Sequence, residues 1–520
     1  MTNLDMDERL RLLQEKRNQA LAGGGLDRLE KHRQAGKLTA RERIEYLLDT
    51  GSFREIHMFA ETQCFEFDMQ KKKILGDGVV TGYGKIAGRM VFLYSQDATV
   101  FGGSCGRAHG QKICNVIRLA RKSGVPIIGL NDTGGGRLQE GMDNVAGYGE
   151  MFFENTTTSG VVPQIAAILG PCTGGGVYSP ALMDFILQVE GTAQMFITGP
   201  VVVKEVMGEN VSFEELGGAK MHSTISGVAH MTAGNDQACL DLIKKLLSYI
   251  PQNNREKPPF VQTGDNPQRL CEKLTYYVPT DQKKTYDMRT VIKEVVDNGD
   301  FLEMAPRYAQ NMIIGFARLD GRSVGIVANQ PRVYAGAIDI NAADKGSRFI
   351  RFCDAFNIPL IIFVDVPGYM PGLAQESGGI IRHGAKMLYA WSESTVPKIT
   401  CILRKAYGGS IPGMCCHEVG ADQILVWPTA EMAMMGAGPA VNILYGKEIR
   451  TASDPETFRQ ERTQYYRDTF STPYYSASKQ LVDMVIEPRD TRRLIIDALL
   501  LLENKQTEGR PWKKHGVMPT

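Results

Sequence analysis

Several things are scarce in this 520-residue chain, and each scarcity closes a route to function. Net charge is almost nil, with 59 Lys and Arg against 58 Asp and Glu, for a balance of +1. That argues against a general nucleic-acid or membrane-surface binder. No apolar run approaches the length of a bilayer span and none follows Met1-Thr2-Asn3-Leu4-Asp5, so neither a leader nor an anchor is expected and the reading is a cytoplasmic protein. The ten cysteines form no Cys-x-x-Cys pair, and Cys114, Cys353 and Cys401 sit in apolar runs, which points to buried reduced thiols rather than disulfides or a zinc site. There is no Gly-x-x-x-x-Gly-Lys-Ser/Thr, and no Gly-x-Gly-x-x-Gly opens a helix after the first strand, so ATP and dinucleotides are not expected ligands. What remains is an ordinary globular composition, 43% hydrophobic and 22% charged, long enough for two large domains.

The most informative stretch is Gly170-Pro-Cys-Thr-Gly-Gly-Gly-Val-Tyr-Ser-Pro-Ala181. It follows a buried-looking strand, Gln164 to Leu169, and precedes an apolar run, Ala181 to Leu187, so it reads as strand, glycine turn and helix start. Glycines let a ligand approach the backbone, and a helix start offers unpaired N–H groups and a positive dipole end. The combination is a donor pocket for a phosphate or a developing oxyanion.

A second stretch repeats the grammar: Lys398 to Leu403 leads into Arg404-Lys-Ala-Tyr-Gly-Gly-Ser410. Gly408 lies 234 residues after Gly174, and Pro397 lies 234 after Pro163. Gly321 follows Gly88, Ile358 follows Val125 and Asp365 follows Asp132, each by 233. Five matches within one residue of register indicate one domain duplicated, with a glycine pocket in each copy.

Along the chain, Met6 to about Leu21 reads as a helix stopped by Gly23-Gly24-Gly25, and Thr39 with Glu42 forms a capping box for the next one. This charged hairpin is expected to be a peripheral arm with a solvated face. Short glycine-punctuated strands occupy Ile74 to Gly88, then strands alternate with helices, among them His109 to Lys122, up to the first glycine stretch. The alternation indicates an α/β layered domain, whose ligands sit beyond the carboxyl ends of its strands. Between Thr232 and Asp287 the pattern weakens, and Pro258-Pro259 and Asp265-Asn266-Pro267 read as a linker. Residues 1–265 and 266–520 are therefore expected as the two domains. The tail after Pro473 gives a strand and a closing amphipathic helix.

No side-chain nucleophile stands out. Ser179, Ser410, Cys172 and Cys415 lie near the pockets, but Gly-x-Ser-x-Gly is absent from both stretches, and His109, His222, His383 and His417 read more readily as core or solvated residues than as bases. Two pockets of backbone donors suit a reaction with two oxyanions to hold.

Pieces matching in order carry a family resemblance: Lys37-Leu-Thr-Ala-Arg-Glu-Arg43, Phe101-Gly-Gly-Ser104, Gly135-Gly-Arg137 with Gln139-Glu-Gly141, Gly170-Pro-Cys172 with Gly174-Gly175, and Tyr178-Ser-Pro-Ala181. Phe196-Ile-Thr-Gly-Pro200, Gly325 to Gln330, Asp365-Val-Pro-Gly368, Arg382 to Lys386, Arg404 to Gly409 and Trp427-Pro428 continue it. The chain resembles the carboxyltransferase subunit of biotin-dependent acyl-CoA carboxylases, a family that includes propionyl-CoA carboxylase β subunits, the large transcarboxylase subunit and methylmalonyl-CoA decarboxylase α subunits. The resemblance covers essentially the whole chain. It implies two duplicated crotonase-like domains, the N-terminal one holding acyl-CoA and the C-terminal one carboxybiotin. It further implies a ring-shaped homo-hexamer whose active sites form between domains of different subunits.

Carried over residue by residue, it puts the thioester enolate on the amides of Gly174, Gly175 and Gly176, and the biotin ureido oxygen on those of Gly409 and Ser410. Gly135, Gly136, Arg137, Tyr178, Ile411 and Pro412 fall on the substrate, and Gly368, Tyr407 and Gly408 on the biotin. No metal is implied. The chain has no Met-Lys-Met biotinylation site and no recognisable ATP-binding carboxylase segment, so biotin is expected on a separate carrier, loaded by a biotin carboxylase partner. Ser410, Ile411 and Pro412 depart from the usual Ala, Tyr and chain-selecting residue, and Ser377, Ala98 and Arg107 replace the common Tyr, Phe and Glu. The expected reaction is carboxyl transfer to or from propionyl-CoA and methylmalonyl-CoA. A decarboxylase or transcarboxylase subunit, a biotin-independent crotonase-like hydrolase and a CoA-binding scaffold are the rivals.

Overall fold

The computed structural model describes residues 5–507 and 511–519. The chain divides into two compact units between Glu256 and Lys257, within the weakly patterned stretch and nine residues before the boundary expected from sequence. The first unit holds one sheet of eight strands: β1 (Arg54–Ile56), β2 (Val79–Ile86), β3 (Arg89–Gln96), β4 (Ile127–Thr133), β5 (Gln164–Thr173), β6 (Phe185–Val189), β7 (Gln194–Phe196) and β8 (Met231–Ala233). Their order is β1-β2-β3-β4-β5-β6-β8, with β7 pairing the far end of β5. β1, β2 and β3 run antiparallel, and every pairing from β3 onward is parallel.

The second unit repeats this strand for strand: β9 (Phe301–Met304), β10 (Met312–Leu319), β11 (Arg322–Asn329), β12 (Leu360–Val366), β13 (Lys398–Tyr407), β14 (Gln423–Val426), β15 (Glu431–Ala433) and β16 (Met484–Val485). The order is again the same, with β15 pairing β13. The central strands are buried along their length because helical crossovers cover parallel sheets on both faces: all seven residues of β4 and all seven of β12 are buried, apolar at their starts and polar only toward their carboxyl ends.

The repeats seen in sequence have local causes. The β2–β3 hairpin turns at Ala87-Gly88 and the β10–β11 hairpin at Asp320-Gly321, both dipeptides with left-handed φ (48° and 78°; 49° and 76°), as a two-residue hairpin turn requires. In both, one aspartate accepts the two turn amides, Asp49 from Ala87 and Gly88, and Asp297 from Asp320 and Gly321. The pairing of β4 with β5 breaks register between Asn131 and Thr133, and that of β12 with β13 between Val364 and Val366. Asp132 and Asp365 sit in those breaks.

Two expectations change. The run Ala181–Leu187 does not start a long helix: Tyr178–Leu182 makes little more than one turn, Met183 is extended, and Phe185 begins β6. The Asp184 carboxylate accepts the Gln164 amide at 2.8 Å, which pins the return beside β5. The N-terminal hairpin is also more than a solvated face. Its helix Ala40–Leu47 has the expected Thr39–Glu42 capping box, but it buries Ala40, Arg43, Ile44 and Leu47. Arg43 is wholly inaccessible and lies between Asp132 and Asp236 at 3.1 and 2.8 Å.

Candidate active site

The two glycine turns lie just past β5 and β13, the central strands of their sheets. After β5, Gly174 takes a left-handed φ of 59°, a 3₁₀ turn covers Gly174–Val177 and the short helix follows. After β13, Gly408 takes φ of 57° and the helical turn Ser410–Gly413 follows. A left-handed residue at the strand end swings the next amides outward, and the first N–H groups of a helical turn have no partner within it. Among the described residues, the N–H groups of Gly174 and Gly175 meet no acceptor, nor do those of Gly409 and Ser410. Gly408 differs from Gly174 in that its N–H is spent on the Ala433 carbonyl at 2.9 Å. A Cβ at Gly174 would find only the Ile197 carbonyl, 4.0 Å away, and one at Gly409 only the Tyr369 ring edge at 4.0 Å, so both turns face open space that a side chain would fill.

A second strip of backbone borders each turn. In the first unit a lone bridge joins Cys105 to Gly136: the Cys105 N–H donates to Gly135 and the Arg137 N–H to Cys105, at 2.8 and 2.9 Å. In the second, Ile338 and Tyr369 repeat it, with the Ile338 N–H to Gly368 at 3.1 Å and the Met370 N–H to Ile338 at 2.8 Å. Gly135 (φ 91°) and Gly368 (φ 146°) supply the left-handed step that shapes both strips.

The side chains near the turns are occupied elsewhere. Ser179 donates to Asn155 at 2.7 Å and Ser410 to the Tyr407 carbonyl at 2.6 Å. Burial pushes the thiols of Cys172 and Cys415 up to about 12, so neither is a thiolate near neutrality. His109 is buried, and its ring is fixed as neutral by its neighbours. The Gln96 carbonyl accepts the Asp132 amide, so the Gln96 amide nitrogen donates to Nε2, while Nδ1 donates to the Asp77 carbonyl. Nothing here builds an activated nucleophile with its base. The arrangement can hold two developing negative charges with rigid backbone donors.

Of the other expected site residues, Tyr178 is half exposed at the first turn and meets Phe152 edge-on, with ring centres 5.8 Å apart. Tyr407 donates its hydroxyl to Glu431 at 2.7 Å. Ile411 and Pro412 line an apolar cavity of about 530 Å³ beside the second turn, together with Met414, Met432, Phe470 and Tyr475. Arg137 is a correction. It was expected to touch substrate, but only 1% of its side chain is accessible and its guanidinium is spent on Asp77 at 2.6 Å, Glu140 at 2.9 Å and the Ser104 carbonyl at 2.8 Å. Buried and fully paired, it braces the strip that carries Gly135 and Gly136. Among the described residues no group of three His, Cys, Asp or Glu is placed to hold a metal.

The fold is that of a duplicated crotonase-like enzyme, each copy carrying a turn with two backbone donors that are free among the described residues. The chain belongs to the carboxyl transferase domain family, whose sequence model matches residues 31–518, and is a carboxyltransferase of the biotin-dependent acyl-CoA carboxylase group. It is 54% identical to the methylmalonyl-CoA decarboxylase subunit alpha of Veillonella parvula, over 99% of both chains. It is 52% identical to the carboxyltransferase subunit of propionyl-CoA carboxylase from Haloferax mediterranei, over 99% of this chain and 100% of that one. The crystal structure of transcarboxylase 12S, described as a hexamer with methylmalonyl-coenzyme A and methylmalonic acid bound, superposes over 100% of both chains with a TM-score of 0.97 at 51% identity.

Proposed function

We propose that the chain transfers a carboxyl group between carboxybiotin on a separate carrier and the α-carbon of a short acyl-CoA, with propionyl-CoA and methylmalonyl-CoA as the substrate pair. The observation that carries this reading is the pair of equivalent turns, each presenting two adjacent backbone N–H groups that meet no acceptor. The choice of acyl group follows the relatives, which are methylmalonyl-CoA and propionyl-CoA enzymes.

In this reading the amides of Gly174, Gly175 and Gly176 receive the thioester oxygen as the α-carbon takes on carbanion character. Those of Gly409 and Ser410 receive the ureido oxygen. Losing one such donor costs roughly a hundredfold to a thousandfold in rate. Carboxybiotin, when bound, supplies the carboxyl group and a ureido nitrogen able to take the α-proton. The open space in front of Gly409, which a Cβ would fill, suits a flat ureido ring. Gly368, Tyr407 and Gly408 frame it, while Ile411 and Pro412 wall the apolar cavity beside it. Tyr178 and the strip of Gly135 and Gly136 flank the acyl-CoA side, with Arg137 as their brace. Residues 1–265 thus serve the acyl-CoA and 266–520 the carboxybiotin. The working form is a homo-hexamer in the cytoplasm, served by biotin carboxyl carrier and biotin carboxylase subunits or another source of carboxybiotin.

The same donors serve the reaction in reverse, so a decarboxylase or transcarboxylase assembly uses this half-reaction unchanged. The neutral, buried thiols and occupied serines weigh against a hydrolase.

The test is carboxyl transfer from methylmalonyl-CoA to free biotin by the purified protein, without ATP and across a panel of malonyl-type CoA esters. Turnover is expected, with methylmalonyl-CoA preferred. Gly409→Val should abolish transfer and leave methylmalonyl-CoA binding near the wild-type level. Loss of both, or of neither, contradicts the two-turn assignment.

A further inference from the structure

Each glycine turn rests on a tyrosine ring, and the two rings come from places in the chain that the duplication does not relate. Under the first turn lies Tyr148, from the helix Met142–Thr158. A Cβ at Gly175 would fall 2.9 Å from its Cδ2, and one at Gly176 3.4 Å from its hydroxyl. Tyr148 is 6% exposed, stacks on Phe152 with ring centres 6.0 Å apart, and its hydroxyl makes no hydrogen bond among the described residues. Beside the second turn lies Tyr369, from the bordering strip itself. Its Cδ2 stands 4.0 Å from a Cβ at Gly409 and its hydroxyl 2.7 Å from one at Gly413, and that hydroxyl also lacks a partner.

Position 369 corresponds in the repeat to Gly136, which packs against Asn144, where a Cβ would fall 2.5 Å from the amide. The first unit therefore has no ring at the equivalent place and brings one from the next helix. The second has the ring on the strip, and position 381, the counterpart of Tyr148, is an exposed isoleucine. A buried phenol hydroxyl without a partner is unfavourable, so a site that needed only filling would be better served by Phe or Leu. What both turns share is a flat, stiff face against the glycine backbone. A donor pair works only if its N–H groups are held in one direction, and a shift of about 1 Å costs on the order of a hundredfold in rate.

We propose that Tyr148 and Tyr369 are positioning residues for the donor turns: each ring is a wedge that fixes the aim of the Gly174–Gly176 or the Gly409–Ser410 amides, and each crowds one neighbouring glycine, Gly175 or Gly413. This rests on the proposed carboxyl transfer at the two turns.

The test uses the full chain and methylmalonyl-CoA-to-biotin transfer, with kcat and KM measured separately. Tyr148→Phe keeps the wedge and should hold kcat within about threefold, since it deletes only an unpaired hydroxyl. Tyr148→Leu should lower kcat by about a hundredfold with KM for methylmalonyl-CoA little changed, the mark of misaimed transition-state donors rather than lost binding. Gly175→Ala, which collides with the ring, should be nearly inactive, and adding Tyr148→Leu to it should recover about tenfold by removing the obstacle. Tyr369→Leu repeats the measurement at the second turn and decides the matter if Tyr148→Leu does not fold.

Wild-type kcat in a folded Tyr148→Leu or Tyr369→Leu would overturn the inference, as would a double variant no better than Gly175→Ala alone. Full activity in both Gly175→Ala and Gly409→Val would overturn instead the underlying assignment of the turns.

Discussion

The two units meet one structural need in opposite directions. Each buries an aspartate in the register break beside its central strand, and each satisfies it with an arginine that ties the sheet to the chain preceding it. In the second unit the arginine belongs to the sheet. Arg404 on β13 bonds Asp365 at 2.9 Å and reaches back to the carbonyls of Pro279, Asp281 and Lys284, with its guanidinium 5.0 Å from the Tyr286 ring centre. In the first unit the arginine belongs to the preceding segment. Arg43 comes in from the N-terminal arm to Asp132 and Asp236 and donates to the Leu169 carbonyl at 2.9 Å, while Lys37 adds a 2.6 Å contact to Asp132. The position equivalent to Arg404 is Gly170, where a Cβ would lie 2.0 Å from the Asp132 carboxylate and 2.5 Å from the Lys37 ammonium. The glycine is there because the charge arrives from the other side. The duplication thus preserves the buried ion pair and lets its donor change.

The largest expected effect breaks that pair. Arg404→Ala leaves buried Asp365 with only the Lys405 ammonium at 4.0 Å, and Arg43→Ala leaves buried Asp236 with no cation among the described residues, although Asp132 keeps Lys37 at 2.6 Å; each should cost about 3–5 kcal/mol. Denaturant unfolding should show losses of that size for both, because the two pairs are equally buried. Their local signatures should differ. Arg43→Ala should open the arm to trypsin at Lys31 and Arg33, and Arg404→Ala should open the segment at Lys283 and Lys284. A loss under about 1 kcal/mol in either would mean that the two stitches are not equivalent.

That comparison also shows what a sequence can and cannot disclose. The duplication, the glycine turns and the strand ends were legible because they are local and recur at a fixed offset. The role of the arm was not. Lys37 and Arg43 look like solvated charges until Asp132, 89 residues beyond Arg43, is known to lie beside them. The one available signal was negative: with the copies aligned, Gly170 faces Arg404, and a missing cation asks for another source. Arg137 misled for the mirrored reason, since its partner Asp77 stands 60 residues upstream. The tyrosine wedges left no trace at all, because Tyr148 and Tyr369 occupy unrelated positions in the two copies.

A second asymmetry is a smaller effect and concerns acid. His109 is buried in the first unit, and position 342, its counterpart 233 residues on, is a buried alanine. Burial, with the nearby Arg137 and Lys112, lowers the His109 pKa to about 3, against the Asp77 carbonyl bond that favours the charged ring. The unfolded chain therefore takes up a proton as pH falls through 6.5, and the native unit does not until about 3. In that window stability falls with pH, by up to about 1.4 kcal/mol per unit from this one group. Urea midpoints between pH 4 and 7 should be flatter for His109→Gln than for the wild type. An unchanged slope would place the acid sensitivity elsewhere and remove this difference between the units.

The smallest effect comes from the first crossover helix of each copy. In the second unit the helix Ile340–Ala355 is capped by Asp339, whose carboxylate accepts the Ala342 amide at 2.8 Å and the Asn311 side chain at 3.1 Å. In the first, Gly106 occupies the cap of Arg107–Ser123, and Glu140 accepts the Arg107 amide from across the loop at 2.6 Å. A Cβ at Gly106 would fall 2.3 Å from that carboxylate, so the borrowed cap and the glycine require each other. Asp339→Ala removes a local cap and should cost about 1 kcal/mol, a shift of about 2–4 °C in the thermal midpoint for a unit of this size. Glu140→Gln should cost more, because the same carboxylate also holds Arg137 at 2.9 Å, and neutralising it leaves that buried guanidinium with one charged partner fewer. If the two variants lose the same stability, the cap in the first unit is as local in its effect as that in the second, and the brace through Arg137 to the glycine strip carries no extra weight.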